Sequence, residues 1–251
     1  MESRQGMMDS AEFAEFELTA ASTEAWPAAA EAATASNGNG ARSEFELALG
    51  SSAFARALKR MFDLMAAVLL IVLLAPLWLA IALLIKADSP GPILFRQRRI
   101  GRDGKPFWIC KFRTMVDGAD ARKPALLHLN DAAEGLFKIS DDPRVTKVGR
   151  WLRATCLDEA PQLLNALVGQ MSLVGPRPLV PDEDAQILGV YRERLTARPG
   201  ITGPWQVKGA SAIPIHEMVL LDRYYVETWS LWLDLKLLFK TASLVVGRRG
   251  I

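Results

Sequence analysis

The chain has 251 residues and a mass of 27.6 kDa, enough to bury a core without disulfide or metal staples. Lys and Arg exceed Asp and Glu by only two, yet residues 1–50 hold nine acids against two arginines, a net of −7 that leaves +9 on the remaining 201 residues. That excess suits a partner carrying phosphates, while two cysteines and two histidines exclude a disulfide framework, a CxxC zinc site and an HExxH metalloprotease.

Residues 1–50 are rich in Ala, Glu, Ser and Asn and read as a disordered acidic tail. They lack the basic start and immediate apolar core of a secretory signal, so export is not expected. From Met61 to Ile85 the sequence is MFDLMAAVLLIVLLAPLWLAIALLI, with Asp63 its one charge. At about 1.5 Å per residue, a straight helix of this length reaches across a hydrocarbon core of about 30 Å. Pro76, near its middle, removes a backbone hydrogen bond. Basic residues flank both ends, with Arg56, Lys59 and Arg60 before and Lys86, Arg96, Arg98, Arg99 and Arg102 after, and each flank favours the cytoplasmic side. A helix that enters, bends at Ala75-Pro76 and returns to the same face satisfies both observations. A single-pass anchor with a tolerated proline is the simpler alternative, and composition by itself favours it.

The breaker cluster Asp88-Ser89-Pro90-Gly91-Pro92 follows. ILFRQRRI, the turn Gly101-Arg102-Asp103-Gly104, and PFWICKF then predict a β-hairpin. Residues 117–135 read as helix and loop. Val145, Val148, Trp151 and Leu152 have helical spacing. Thr155 to Asp158 fits a capping pattern and Pro161 a first helical turn, so a second helix is expected to open at Asp158 and end near Gly169. Met171 to Pro178 is too proline-rich to be regular. The C-terminal TWSLWLDLKLLFKTASLVV fits a helix at a headgroup boundary or an amphipathic core helix equally well.

With so few histidines, acid and base work falls to carboxylates. Asp158 and Glu159 are adjacent at a predicted helix start, with Arg150, Arg153 and Arg177 near them in sequence. Adjacent helical positions point in different directions, so one acid can attack while the other holds a metal or a proton. Acids are also favoured at helix N-termini for their own sake, and the residues alone leave that reading open.

The order of six segments carries more. Lys59-Arg60-Met61-Phe62-Asp63 before an apolar stretch broken by proline, Lys111 to Met115, Asp142 to Thr146, Leu157 to Leu163, Met171 to Pro178, and Arg198 to Gly203 together resemble the bacterial sugar transferases, the monotopic phosphoglycosyl transferases, from about residue 56 to the C-terminus. The resemblance implies transfer of a sugar 1-phosphate from a nucleoside-diphosphate sugar, usually a UDP-sugar, to polyprenyl (undecaprenyl) phosphate. It implies Asp158 as nucleophile, Glu159 assisting, Mg²⁺ as cofactor with Asp158 and Glu159 as its ligands, and a re-entrant membrane helix.

The expected fold class is α+β and helix-rich: a re-entrant membrane helix-hairpin plus a small cytosolic catalytic domain with a β-hairpin and interfacial amphipathic helices. The expected divisions are a tail at 1–50, a membrane segment at 51–90 and the catalytic domain at 91–251. Arg153 and Arg177 are the expected neutralisers of the diphosphate. Arg113 and Arg144 read as phosphate or packing residues, with a surface salt bridge as the alternative. Lys59, Arg60 and Asp63 are candidates for docking the lipid phosphate. Pro199 to Gly203 reads as a turn approaching the nucleotide, or a plain loop. Tyr224 and Tyr225 are candidates to line the site or the membrane boundary. Ala75 stands where many family members have serine before the proline, and Cys156 where Ser or Thr is common. Expected partners are the UDP-sugar, polyprenyl phosphate and membrane lipids; a homo-oligomer is open. A nucleic-acid partner is not expected, since no recognised module appears. A catalytically silent membrane scaffold is the competing class.

Overall fold

The computed structural model describes residues 53–131, 137–208 and 213–247; the expected acidic tail lies outside them. The apolar run forms one helix, α1 (Ala53–Asp88), 36 residues long with Pro76 inside it. The helical element continues through the proline instead of dividing there. It stops where Ser89 precedes Pro90, since a residue before proline is driven out of the α region. Gly91 follows at φ +115°, where a Cβ would lie 2.2 Å from Arg113 Nη1. That backbone conformation favours glycine, and a larger residue would also have to displace the Arg113 guanidinium.

The hairpin forms as its alternation predicts. β1 (Leu94–Ile100) pairs antiparallel with β2 (Pro106–Phe112), from Leu94 opposite Phe112 to Ile100 opposite Pro106, and Asp103 takes φ +58° in the connecting turn. One face carries Gln97, Arg99, Ile109 and Lys111; the other carries Leu94 and Phe112 against α1. The outer edge of β2 is satisfied by a side chain: Asn165 Nδ2 donates to Trp108 O (2.8 Å) and Cys110 N donates to Asn165 Oδ1 (3.0 Å). Such pairing keeps an edge strand's polar groups from being buried unsatisfied. Between 117 and 131 two short 3₁₀ turns, Ala119–Arg122 and Pro124–Leu129, stand in place of the expected helix.

α2 (Lys147–Ala154) is capped twice at its start, Thr146 Oγ1 accepting from Gly149 N and Asp88 Oδ2 from Val148 N, each at 3.0 Å. Thr155 does not cap the next helix. Its hydroxyl lies 2.9 Å from Trp151 O and 3.1 Å from Leu152 O, closing α2. Cys156 then adopts φ +56°, and Leu157–Glu159 forms a 3₁₀ turn. The next helix, α3 (Gln162–Leu167), therefore begins after Pro161, not at Asp158. Gly169, at φ +85°, ends it.

Met171 to Pro178 is more regular than expected. Its first part is β3 (Ser172–Val174), paired in parallel with β4 (Gly200–Thr202). The chain between them includes α4 (Pro181–Asp184) and a 3₁₀ segment, Gly189–Thr196. After β4 come α5 (Pro204–Lys208), α6 (Ile215–Thr228) and α7 (Leu231–Val246).

The main core joins Ala67 of α1, Phe107 and Ile109 of β2, Leu163 and Ala166 of α3, β3, Tyr225 and Val226 of α6, and Leu237 of α7. A second cluster gathers Leu179, Ile187, Trp205 and α6 residues. A third sets Ile81 and Ile85 of α1 against Phe112 and Leu152. Each fully buried Leu, Ile, Val, Met or Phe side chain among these contributes about 1.5–3 kcal/mol by leaving water. Both halves of α1 are thus packed on the same body. Its remaining surface is bare, with Met65, Val72, Leu73, Leu79 and Leu83 each more than 60% exposed. α1 is the one helix among the described residues long and apolar enough to cross a membrane.

Candidate active site

The 3₁₀ turn after α2 presents Asp158 and Glu159, both half-buried. Facing it, β2 supplies Lys111, whose Nζ donates to Glu159 Oε1. Arg99 comes from β1 and Arg177 from the segment after β3. Together Arg99, Ile109, Lys111, Glu159, Gln162, Arg177, Pro178, Gly200, Ile201 and Gln206 line a solvent-open recess of about 260 Å³. Three cations and an acid thus converge from four parts of the chain.

The two acids are in different electrostatic states. Burial pushes Asp158 up to about 6, and the neighbouring Glu159 charge adds to this while Lys111 and Arg153 oppose it. Burial also raises Glu159, but the hydrogen-bonded Lys111 ammonium, with Arg177 and Arg99, outweighs it and holds that carboxyl below its ordinary value. Among the described residues no side-chain donor is bonded to the Asp158 carboxylate. Glu159 is therefore the locked anion, while the Asp158 carboxylate takes a hydrogen bond only from its own backbone amide among the described residues.

The recess cations are held, not merely near. Arg99 donates to Pro178 O (3.1 Å) and Gln97 Oε1 (2.6 Å) and lies 3.9 Å from Glu183. Burial and the nearby Arg177 lower its pKa to about 10, so it stays charged at neutral pH. The Arg177 guanidinium stacks on the Trp205 ring, 3.9 Å from its centroid, and among the described residues no carboxylate lies within ion-pair distance of it. Arg153 donates to Thr114 Oγ1 (2.9 Å) and acts on Asp158 from outside the recess lining.

Other cations named from the sequence are placed elsewhere. Arg113 is buried and donates to the Ser89 and Pro90 carbonyls, fixing the turn after α1. Arg144 is buried in a forked pair with Asp142 (2.6–3.2 Å), so the salt bridge is an interior one, not a surface one. Lys59 donates to Asp234 Oδ2 (2.6 Å) and Val174 O (3.2 Å). Arg60 donates to Ala166 O (2.7 Å) and Leu167 O (3.0 Å), satisfying the C-terminal carbonyls of α3. Asp63 accepts from Leu173 N (3.1 Å). All three residues bind α1 to the rest of the protein rather than facing the recess. Pro199 to Gly203 approaches backbone: a Cβ on Gly200 would lie 2.1 Å from Gly175 N, so the glycine admits the neighbouring strand. Tyr225 is in the core, its hydroxyl donating to Asp234 Oδ1 (2.7 Å). Cys156 takes a left-handed backbone, at which the chain turns sharply from α2 into the acid pair.

Arg99 and Lys111 were not singled out by reading the sequence. Strand alternation contains the signal: Lys111 shares the Ile109 face, and Arg99 lies across from Phe107 on that face.

The family model described as Bacterial sugar transferase matches residues 54–248. The chain belongs to this family. A Salmonella typhimurium undecaprenyl-phosphate galactose phosphotransferase is 41% identical over 213 residues, covering 83% of this chain and 44% of that protein. A Caulobacter vibrioides UDP-glucose:undecaprenyl-phosphate glucose-1-phosphate transferase is 46% identical over 194 residues, 73% of this chain and 67% of its own length. The exopolysaccharide production protein ExoY of Sinorhizobium fredii is 42% identical over 196 residues, 76% of this chain and 87% of its own length. The chain thus spans less than half the length of the Salmonella relative and most of ExoY.

As for metal, no group of three or more His, Cys, Asp or Glu side chains converges among the described residues. Among the described residues the acids of the turn at the recess are Asp158 and Glu159. That set fits Mg²⁺, which needs one or two carboxylates when phosphate oxygens and water complete its shell.

Proposed function

We propose that the chain transfers a sugar 1-phosphate from a UDP-sugar to polyprenyl phosphate at the cytosolic membrane face, as an opening step of exopolysaccharide, capsule or O-antigen type glycan assembly. The observation that carries this is the division of labour in the acid pair: Glu159 is engaged by Lys111, while Asp158, acted on by Lys111 and Arg153, takes no side-chain hydrogen bond among the described residues. In the first step an Asp158 oxygen attacks the β-phosphorus. The bond from that phosphorus to the bridging oxygen breaks, and UMP leaves with the electron pair. The resulting acyl phosphate carries the sugar. An oxygen of the lipid phosphate then attacks the same phosphorus, the bond to Asp158 breaks, and the carboxylate is restored with a sugar-bearing polyprenyl diphosphate as product.

A carboxylate attacking a diphosphate meets like charge, so the barrier falls only where fixed cations neutralise the phosphoryl oxygens. Arg99, Lys111 and Arg177 do this from held positions, and Arg153 lowers the cost of ionising Asp158. Mg²⁺, held by Asp158 and Glu159, would supply further neutralisation of the diphosphate. Two successive steps let a soluble donor and a lipid acceptor use one site in turn.

The packing of α1 supports a re-entrant reading. Arg60 binds α3 near the start of the helix, and Asp88 caps α2 at its end. A crossing helix would carry one of these ends about 30 Å away, to the far side. In the proposed arrangement both ends lie on the cytosolic face, with the helix bent in the bilayer around Pro76. Single cysteines at Arg56 and Lys86 in a Cys110→Ala, Cys156→Ala background test this: both should label from the same side of sealed vesicles, and opposite labelling would overturn it.

The activity is tested by incubating detergent-solubilised protein with UDP-glucose or UDP-galactose, Mg²⁺ and undecaprenyl phosphate. UMP release should follow ping-pong kinetics, and mass spectrometry should find a hexose-phosphate adduct on Asp158 when the acceptor is omitted. Normal turnover by Asp158→Asn would refute the reading.

A further inference from the structure

Resting on that reading, we infer that Asp222 and Arg194 are positioning residues that set the Arg177 guanidinium at the recess by holding both backbone polar groups of Arg177. Asp222 Oδ2 accepts from Arg177 N (3.3 Å), and Arg194 Nη2 donates to Arg177 O. The two are joined to each other, Arg194 Nε and Nη2 lying 3.1 and 2.8 Å from Asp222 Oδ2. Arg177 is thus gripped at its amide and its carbonyl by one ion pair, and at its guanidinium by Trp205.

The burial of this pair is what calls for a role. Arg194 is 1% exposed and Asp222 0%; Asp222 Oδ1 and Arg194 Nη1 make no hydrogen bond, and Arg194 Nη1 lies 3.6 Å from Asp184 Oδ1, a second, looser ion pair. A buried ion pair of this kind is a weak source of stability, because desolvation offsets its attraction and apolar side chains of like volume do as well or better. What apolar side chains cannot do is accept from one peptide group and donate to the same residue's carbonyl. The flanking Pro176 and Pro178 limit backbone freedom on either side of Arg177, leaving the two contacts with Arg194 and Asp222 to fix the peptide planes. Arg194 lies in the 3₁₀ segment before β4 and Asp222 on α6, so elements that supply no side chain to the acid pair still determine where a recess cation stands.

A double-mutant cycle with Asp222→Asn and Arg177→Ala, read as kcat/KM for UMP release from UDP-glucose by the full chain in detergent, tests this. Asp222→Asn should cost about tenfold with Arg177 present and less than about twofold once Arg177 is alanine, because its effect passes through Arg177. Binding of UDP, followed by calorimetry, should weaken in parallel. The pair Arg194→Met with Asp222→Leu, which leaves Arg177 N and O without these partners and takes Arg194 from Asp184, should lower the melting temperature and lose rate to the same degree as Asp222→Asn. Equal losses in both Arg177 backgrounds, or a folded Met/Leu variant of full activity, overturns the inference while leaving the transferase reading intact. Absence of UMP release by the unmodified protein overturns both.

Discussion

Lys111 Nζ donates to Glu159 Oε1 across the recess, joining the last part of the hairpin to the turn that presents Asp158. That one ammonium lowers both acids, Asp158 through space and Glu159 by charge and hydrogen bond. Lys111→Met should therefore raise both carboxyls and reduce UMP release by about a hundredfold, the scale expected on losing one oriented electrostatic contact. Lys111→Arg should recover part of the rate. Steady-state assays of the two variants check this; a fully active Lys111→Met variant would remove Lys111 from the mechanism.

Asp158 carries a stability cost with a definite sign. Its folded value, about 6, lies above the ordinary 3.8, so the folded state binds more protons than the unfolded state between these values. Stability should fall as pH rises from about 4 to 6 and level off above that. Asp158→Asn should reduce this slope, the part due to Asp222, whose carboxyl burial also raises to about 6, remaining, and, above pH 6, stabilise the EDTA-treated protein by on the order of 1 kcal/mol after allowance for solvent screening. Denaturant melts of both proteins across pH 4–8 measure it, with a slope unchanged in the variant as the contrary result.

Arg144 and Arg177 should fail in opposite ways. Arg144→Met leaves Asp142 buried without its partner and should cost about 3–5 kcal/mol of stability, with the donor KM of the folded protein unchanged. Arg177→Ala should raise donor KM or lower kcat with little change in melting temperature. The Asp142 carboxyl is held below its ordinary value by the Arg144 hydrogen bonds, which overcome its burial. Its stabilisation is therefore present above about pH 4 and lost as pH falls through the lowered value, and that acid limb should be missing in Arg144→Met. A donor KM defect in Arg144→Met at unchanged stability would restore the phosphate-binding expectation.

Lys59 and Arg60 tie α1 to the body of the protein through Asp234 and the end of α3. Removing Lys59 takes one of three donors from a buried carboxylate whose others are Tyr225 and Trp229. Lys59→Met should lower stability by about 1–3 kcal/mol while leaving the KM for polyprenyl phosphate within about twofold of the unmodified protein. A selective rise in acceptor KM, with the melting temperature unmoved, would show that Lys59 docks the lipid phosphate.

Much of the framework was legible because its signals are local. The period-2 pattern of residues 93–112 gave the hairpin and its turn at Asp103-Gly104. The unbroken apolar run gave α1, and Gly169 marked the end of α3. The parallel pair β3–β4 was not legible, since each strand is three residues long and its stability comes from Gly175 and Gly200 approaching across 25 positions of sequence. α3 starts later than the capping pattern predicts because the hydroxyl of Thr155 is used on the preceding helix. A threonine between two helices can serve either, and only packing decides which.

By itself the sequence picked out the adjacent acids, the long apolar helix and the family, because each depends on residue type in a short window or on the order of such windows. It did not determine which basic side chains serve the acids. Lys59, Arg60, Arg113 and Arg144 are as cationic as Arg99, Lys111 and Arg177. The first four spend their donors on carbonyls and carboxylates of the scaffold; the last three converge on one recess. A guanidinium or ammonium binds whatever acceptor folding brings within about 3 Å, and for Lys59 that acceptor is 175 residues away. Charge was written in the chain, and its direction came from the tertiary contacts.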